Sequence, residues 1–280
     1  MKLASFTLDG RATYGVVMGE TVAPVTDAFA ARYPDLRAAL AADALGALDL
    51  GAALPLDAVT VLPPIPAPSK IVCVGLNYRK PYPVEGVAPP DPENIVLFGK
   101  ERQCIVGHGA ALEIPPGAAA ETFDYEAEIA VVIGREGRCI APEDALAHVA
   151  GYTCFNDGSV RAWQRHSVHA GKNFERSGSC GPWIATADEV RDWSALRLTA
   201  RLNGEVVQDA LAGEMIFGLP EQIAYVSQLM TLHPGDIIAT GSPDGTGGSR
   251  TPKRFLRAGD TVEVTVSGVG TLVNRVDGRA

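Results

Sequence analysis

The chain has 280 residues, 46% hydrophobic and 20% charged, so it is long enough to bury a substantial core. Its formal net charge is −9 and it has no long basic run, which argues against nucleic acid or an anionic membrane as a partner. No apolar stretch approaches the roughly 18 residues that cross a bilayer. The five cysteines are widely spaced and form no C-x-x-C pair, as expected of reduced thiols. We therefore expect a cytoplasmic protein.

The N-terminal segment predicts a small α+β subdomain over residues 1–62. It begins with strand-like stretches separated by Asp9-Gly10 and Gly19, and it continues into an alanine- and leucine-rich helical stretch. The proline cluster at residues 63–68 cannot continue a helix or a central strand, so it predicts a boundary. The larger predicted domain covers residues 69–280.

The larger domain is expected to consist mainly of short strands. The chain contains 30 glycines and 20 prolines without a repeating period, which indicates many turns. A buried strand is predicted at residues 70–76, followed by a proline-rich loop over 77–93. Helices are predicted at residues 142–151 and 220–230, each starting with proline and an acid. The predicted fold class is β-rich α+β.

The most informative segment is FDYEAEIAVVIG, residues 123–134, whose alternation and β-branched residues predict a strand. Because side chains alternate along a strand, Asp124, Glu126 and Glu128 are expected on one face. Buried like charges need a cation, and Asp157 at the end of YTCFND adds another carboxylate. Oxygen donors alone favour Mg²⁺, Mn²⁺ or Ca²⁺ over zinc or copper. The spacing leaves one alternative open, an edge strand with solvated acids.

Several sequence blocks occur in a fixed order between Lys70 and Val276. They are DYEAEIAVVIG, DALAHVAGYTCFND, GPW followed by TADE, NGEVVQD, MIF, LMTLHPGDIIATGSPDG and GDTVEV. Together these blocks resemble the fumarylacetoacetate hydrolase family. The resemblance implies a mixed β-sandwich roll that forms a homodimer and acts on a small 2-oxo acid.

The resemblance also implies a metal site. Its ligands would be Glu126, Glu128 and Asp157, holding magnesium or manganese, with calcium also compatible with the oxygen donors. In this family the metal chelates a 2-oxo carboxylate or enolate, which stabilises the charge that develops on oxygen during the reaction.

Further side chains correspond to the polar residues with which the family binds substrate. Arg161, Gln164 and Ser242 are predicted to bind substrate oxygens, and Lys172 is predicted to be catalytic. For Arg161 and Lys172 the alternative is a solvated basic loop, and Ser242 could instead cap its turn. Asp244, in the same GSPDGTG turn, is an acid that the family pattern does not usually include.

One loop departs from the family pattern. Many hydrolases of the family carry, after GLNY, a histidine and a glutamate three residues apart that activate the attacking water. Pro81 and Val84 occupy those positions here. The neighbouring Glu85 is the predicted catalytic substitute, and His166 and His169 are the other nearby candidates for a base.

The resemblance supports several reactions. We rank first the hydrolysis of a carbon–carbon bond in an acylpyruvate-type β-diketo acid. Without the histidine–glutamate pair, isomerisation or decarboxylation of a small 2-oxo acid or diacid gains weight, and a non-catalytic oxo-acid binder is a third possibility. Tyr82, Phe98 and Trp163 are expected to line the pocket for the substrate side chain.

Overall fold

The computed structural model describes residues 1–79 and 90–278. Its strands are β1 (Lys2–Leu8), β2 (Arg11–Met18), β3 (Thr21–Pro24), β4 (Leu54–Pro55), β5 (Thr60–Val61), β6 (Ile71–Gly75), β7 (Val96–Gly99), β8 (Ile105–Val106), β9 (Leu112–Glu113), β10 (Phe123–Asp124), β11 (Ala127–Ile133), β12 (Val149–Asn156), β13 (Ser159–Val160), β14 (Gly178–Thr186), β15 (Arg197–Leu202), β16 (Glu205–Leu211), β17 (Ile237–Ala239), β18 (Thr261–Val266) and β19 (Gly270–Asp277). Its α-helices are α1 (Asp27–Arg32), α2 (Leu36–Ala41), α3 (Val168–Lys172) and α4 (Leu219–Leu229). The predicted β-rich α+β class is confirmed.

Most strands belong to one mixed sheet. In the described ranges this sheet has twelve strands, with the main path β4-β3-β2-β1-β14-β12-β11-β17-β6-β7 and with β5 and β8 paired to β1 and β14. The β17–β6 and β14–β8 pairs are parallel, and the other pairs of this sheet are antiparallel. A second sheet has the order β16-β15-β18-β19-β9, and β10 pairs with β13 alone. The architecture is the expected mixed-sheet sandwich.

Strand β11 lies at the centre of the core and is covered on both faces. Ile129, Val131 and Ile133 pack in a cluster with residues of the second sheet and of α4. Ala130 and Val132 point the opposite way, into a cluster with residues of α1 and α2. All residues of β11 are buried, which explains why this strand is apolar on both faces. The acids at its N-terminal end are therefore attached to a rigid frame.

The N-terminal segment extends the main sheet. Strand β1 pairs with β14 through Lys2 opposite Ala185, and β5 pairs with β1. Ser5 Oγ donates a hydrogen bond to Pro64 O at 2.7 Å, which attaches the proline cluster to β1. The division of the chain into residues 1–62 and 69–280 remains a prediction.

Only one of the two predicted helices agrees with the structure over its full length. The helix predicted from Pro220 is confirmed as α4. Residues 142–148 form a 3₁₀ helix, and β12 starts at Val149, so the prediction that this helix extends to Gly151 is wrong. Gly151 lies inside β12, where a Cβ atom would come within 2.1 Å of Ala185 O. The glycine permits close approach of β14 rather than ending a helix.

The helices of the described residues are short. The longest α-helix, α4, has 11 residues, and none is long and apolar enough to cross a membrane. All five cysteines are free. The expected cytoplasmic location remains a prediction.

Candidate active site

The strand predicted through residues 123–134 is interrupted at Tyr125 and Glu126. Strand β10 ends at Asp124 and pairs with β13, whereas β11 starts at Ala127. Asp124 Oδ2 accepts a hydrogen bond from Arg161 Nε at 2.7 Å and does not join the other acids. Of the three acids predicted to share one face, only Glu126 and Glu128 lie together. Asp124 is separated from them because the strand is interrupted after it.

Three carboxylates converge at one end of β11. Glu126, Glu128 and Asp157 each offer an oxygen atom, and these atoms lie within 4.8 Å of one another. The pairing of β11 with β12 sets Ala127 opposite Asn156, which brings the acids of the two segments together. The Asp157 N–H also donates to Glu126 O at 2.8 Å. The structure thus brings together the three residues predicted as metal ligands.

Two buried lysines neutralise part of this charge. Lys172, the last residue of α3, bridges Glu126 Oε2 and Asp157 Oδ2 through its ammonium group. Lys100 follows β7, and its Nζ donates to Asp157 Oδ1 at 2.6 Å, Gly158 O at 2.9 Å and Lys172 O at 2.6 Å. Lys100 was not predicted from the sequence, where its only signal is its place as a lone lysine directly after the strand-like VLFG.

Arg161 connects Asp124 to the group of three acids. Its Nε donates to Asp124, its Nη1 pairs with Glu126, and its buried Nη2 has no hydrogen-bond partner within residues 1–79 and 90–278. Burial by itself raises the pKa of Glu126, but Arg161 and Lys172 outweigh it and lower the pKa to about 2. Glu126 is therefore ionised, and Arg161 keeps one donor available.

Glu128 differs from the other acids because no basic side chain of the described residues forms an ion pair with it. It is 1% exposed, and its Oε2 accepts a hydrogen bond from the Gly241 N–H at 3.0 Å. Burial, and then the neighbouring Asp157, raise the pKa of Glu128 well above its usual range. A hard divalent cation would supply the missing positive charge, and three carboxylates are donors that such an ion prefers. The residues fit a divalent metal ion.

A cavity of about 350 Å³ is lined by Glu126 and Glu128. Three buried polar atoms of its lining residues have no partner in the part of the chain that the structure describes: Tyr78 Oη, Arg161 Nη2 and Asp244 Oδ1. A larger cavity of about 760 Å³, lined by N-terminal residues and residues 108–110, has no such residue in its lining. Unsatisfied buried polar atoms indicate a place for a ligand, so the smaller cavity is the candidate active site.

The predicted substrate-binding residues line this cavity. Arg161, Gln164 and Ser242 all belong to its lining, together with Lys172 and Phe98. The Lys172 ammonium lies 4.9 Å from the centre of the Phe98 ring, so the ring covers the lysine.

Gln208 is a further residue of the site that was not predicted from the sequence. Its Nε2 donates to Ser242 Oγ at 2.8 Å and to Pro243 O at 2.6 Å, and its Oε1 accepts from the Ala127 N–H at 3.0 Å. One buried amide therefore attaches the glycine-rich turn to the start of β11. The sequence signal was a single polar residue in the strand-like stretch NGEVVQD.

Three other predicted residues do not line the cavity. Trp163 is 38% exposed, packs on His166 and Phe174, and is not among the described residues that line the cavity. His166 and His169 are exposed, and neither belongs to the lining. The reason is that residues 161–172 form two short helical segments that direct only one of their sides at the cavity.

The loop that departs from the family pattern lies largely outside the described residues. Four residues with a predicted role or position belong to that part of the loop: Pro81, Tyr82, Val84 and Glu85. The catalytic role predicted for Glu85 remains a prediction, as does the role of Tyr82 in the pocket. The loss of the histidine–glutamate pair rests on the sequence alone.

The fold and the site together define a β-rich protein in which three carboxylates suited to a divalent metal lie beside a cavity with charged residues in its lining. The family described as "Fumarylacetoacetate (FAA) hydrolase C-terminal" matches residues 70–277. The chain belongs to this family and is one of its oxo-acid-processing enzymes.

Two relatives are similar to most of this chain. The chain is 41% identical over 227 residues to the mitochondrial oxaloacetate tautomerase FAHD2A of Bos taurus, covering 80% of this chain and 71% of the relative. It is 40% identical over 224 residues to the oxaloacetate tautomerase YisK of Bacillus subtilis (strain 168), covering 79% and 74%.

Two solved structures are similar to this chain over its full length. A fumarylacetoacetate hydrolase from Exiguobacterium antarcticum matches with a TM-score of 0.85 at 32% identity. A maleylpyruvate hydrolase from Sphingobium sp. SYK-6, in complex with manganese(II) ion and pyruvate, matches with a TM-score of 0.80 at 28% identity. In both cases the match covers 100% of each chain.

Proposed function

We propose that the chain is a divalent-metal-dependent keto–enol tautomerase of small 2-oxo acids, with oxaloacetate as the first substrate to test. One observation carries the proposal. The cavity retains the acids and the basic residues of an oxo-acid site, whereas Pro81 and Val84 stand where the family's hydrolases hold their water-activating pair. Hydrolysis needs an activated water, but tautomerisation needs only proton transfers between carbon and oxygen. The two relatives named as oxaloacetate tautomerases support this choice.

Glu126, Glu128 and Asp157 would hold the metal. When bound, Mg²⁺ or Mn²⁺ would withdraw electron density from the substrate oxo group and so stabilise negative charge on that oxygen. The chain's own side chains position two of these acids: Lys172 bridges Glu126 and Asp157, and Lys100 binds the second oxygen of Asp157. Preformed ligand positions reduce the ordering that binding requires.

Arg161 would bind the substrate carboxylate. Burial acts to lower the pKa of this guanidinium, but the ion pairs with Glu126 and Asp124 raise it above its usual value, so Arg161 remains charged. Its Nη2 is the donor that has no partner among the described residues, and a charge-assisted hydrogen bond to a carboxylate oxygen would satisfy it. The Gln164 side chain offers further hydrogen bonds from the same wall of the cavity.

Lys172 would act as a cation rather than as a base. Burial acts to lower its pKa, but Asp157 and Glu126 outweigh burial and raise the pKa above that of an ordinary lysine. The ammonium therefore keeps its proton at neutral pH. From its place in the cavity wall it would stabilise negative charge on the substrate oxygens as the enolate forms.

The test starts from the enol form of oxaloacetate and follows its conversion to the keto form by ultraviolet absorbance. We expect purified protein with Mn²⁺ to accelerate the conversion above the spontaneous rate, and we expect chelator to abolish the acceleration. Carbon-13 NMR of the products should show that all substrate carbons are retained. Glu126→Gln should lose the activity, whereas the exposed Glu121→Gln should keep it. Release of carbon dioxide as the main reaction, or no acceleration with either Mn²⁺ or Mg²⁺, would contradict the proposal.

Hydrolysis of a carbon–carbon bond in an acylpyruvate-type acid is the second candidate. It is supported by the similarity to the maleylpyruvate hydrolase whose structure contains manganese and pyruvate. Incubation with a panel of acylpyruvates distinguishes the two functions, because a hydrolase releases pyruvate and a carboxylic acid. A tautomerase leaves the carbon count unchanged.

A non-catalytic binder is an alternative to the tautomerase, and the homodimer is a separate prediction. A non-catalytic binder would bind pyruvate in the presence of Mn²⁺ without accelerating any reaction, so calorimetry alongside the activity assay tests for it. The homodimer expected from the family resemblance is measured by light scattering of the purified protein.

A further inference from the structure

One carboxylate of the cavity has no role in the site described above. Asp244 lies in the turn between β17 and β18 and lines the cavity together with Glu126, Glu128 and Lys172. Its Oδ1 is buried and has no hydrogen-bond partner within the described residues. Buried polar atoms are nearly always satisfied, and an exception needs a specific explanation such as a catalytic role.

Other groups hold the turn that contains Asp244. Gln208 Nε2 donates to Pro243 O at 2.6 Å on one side, and Tyr125 Oη donates to Gly245 O at 3.0 Å on the other. Gly245 has φ +103°, and a Cβ atom there would lie 1.9 Å from a backbone oxygen of β16. Aspartate in a turn usually accepts hydrogen bonds from nearby backbone, but in the described ranges Asp244 makes none. The turn is therefore shaped without the Asp244 side chain.

The basic residues of the cavity lining, Arg161 and Lys172, are paired with acids other than Asp244. Within the described part of the chain, neither Arg161 nor Lys172 forms an ion pair with Asp244, and Asp244 is not one of the three converging acids. A carboxylate on a rigid turn beside an oxo-acid site has the chemistry of a general base. No histidine belongs to the lining of this cavity as described.

We propose that Asp244 is the catalytic residue that removes and returns the carbon-bound proton in the tautomerisation, an inference that rests on the proposed function. Asp244 accepts a proton from the carbon next to the oxo carbon. The electron pair of the broken C–H bond forms the C=C bond, and the π pair of the C=O bond moves to oxygen. That oxygen takes a proton from solvent, and Asp244 then releases its proton to solvent. The sum is an isomerisation that needs no oxidant or second substrate.

A base fixed on one side of the cavity predicts a stereochemical result. In D₂O the enzyme should exchange only one of the two hydrogens at C3 of 2-oxobutyrate, because one face of the enolate would be turned to Asp244. Spontaneous exchange removes both hydrogens at equal rates. Proton NMR distinguishes the two patterns directly, and it does so independently of the oxaloacetate assay.

The decisive variants are Asp244→Asn, which has nearly the same shape, and Asp244→Ala. We expect kcat for tautomerisation and the exchange rate at C3 to fall by about 10²–10⁴-fold in both, with little change in KM. Added formate should restore part of the activity of Asp244→Ala, because it can occupy the space of the missing carboxylate, and should not restore Asp244→Asn. Mn²⁺ affinity and the melting temperature should match those of the wild-type protein. The exposed Asp57→Asn serves as the control and should behave as wild type.

The outcomes separate the two proposals. Full-rate exchange in both Asp244 variants, or a rise in KM with unchanged kcat, overturns the role of Asp244 and leaves the tautomerase proposal intact. A wild-type enzyme that accelerates neither conversion of oxaloacetate nor exchange of 2-oxobutyrate overturns both.

Discussion

Lys100 Nζ donates a hydrogen bond of 2.6 Å to Asp157 Oδ1, and neither side chain is exposed to solvent. The same ammonium group donates to Gly158 O and Lys172 O, so it joins the segment after β12 to the end of α3. Burying a polar group this deeply costs free energy unless it is hydrogen-bonded, and the Lys100 Nζ has three acceptors. Lys100 therefore fixes both Asp157 and the backbone that presents Lys172.

The variant Lys100→Met tests this relationship, because it keeps the length of the side chain and removes its charge. Breaking a buried ion pair on one side leaves the other charge uncompensated, so we expect the free energy of unfolding to fall by about 3–5 kcal/mol. Mn²⁺ affinity should fall by about 10–100-fold, since the support of a ligand is lost. Urea unfolding and calorimetric titration measure the two effects. The exposed Lys253→Met should change neither, and wild-type Mn²⁺ affinity in Lys100→Met would contradict the positioning role.

Glu128→Gln should stabilise the metal-free protein at neutral to alkaline pH. The pKa of Glu128 is raised in the folded state, first by burial, so ionising it costs folding free energy. This cost grows as the pH rises above the ordinary glutamate pKa of about 4.3. With chelator at pH 8 we expect the variant to be more stable by roughly 1–3 kcal/mol, and at pH 4 we expect the difference to vanish.

Adding metal should make the wild-type protein more stable than Glu128→Gln. Mn²⁺ should raise the melting temperature of wild type and leave that of Glu128→Gln nearly unchanged, because a ligand that binds only the folded state stabilises it. Scanning calorimetry at both pH values, with and without Mn²⁺, measures all four conditions. A variant that is less stable than wild type in chelator at pH 8 would contradict the account of Glu128.

Arg161→Lys should weaken substrate binding while conserving charge. The lysine ammonium cannot reach Asp124, Glu126 and a substrate carboxylate together, as the planar guanidinium would. We expect KM for oxaloacetate to rise by about 10–100-fold when Mn²⁺ is saturating. Arg165→Lys, an exposed position on the same 3₁₀ helix, should leave KM unchanged. Equal KM values for wild type and Arg161→Lys would exclude the carboxylate contact.

Gly245→Ala should destabilise the fold and reduce the activity. The residue has φ +103°, and its Cβ atom would lie 1.9 Å from Val207 O, so the turn must move away from β16. We expect the free energy of unfolding to fall by at least about 2 kcal/mol, together with kcat, since the turn presents Ser242 and Asp244. Gly46→Ala is the matched control, because a Cβ atom there meets nothing within 4 Å. Normal stability and activity in Gly245→Ala would show that the turn tolerates the shift.

The sequence alone was sufficient for the fold class, for the family and for the choice of acidic residues. Alternating and β-branched stretches predict strands because the two-residue period of a strand is a local property of the chain. The ordered sequence blocks pointed to the family that the match over residues 70–277 shows. The same blocks selected Glu126, Glu128 and Asp157, whose carboxylates the structure brings within 4.8 Å.

Only the tertiary structure decided how the acids are held and which of them are paired. Lys100 lies 57 residues from Asp157 in sequence, and Gln208 lies 81 residues from Ala127, so no periodicity connects either pair. The break after Asp124 was also invisible, because its local pattern continues that of β11 although its backbone pairs with β13. Contacts of this kind depend on which strands become neighbours, and long-range pairing is a property of the whole fold. For the same reason, only the folded structure shows that Asp244 Oδ1 has no hydrogen-bond partner among residues 1–79 and 90–278.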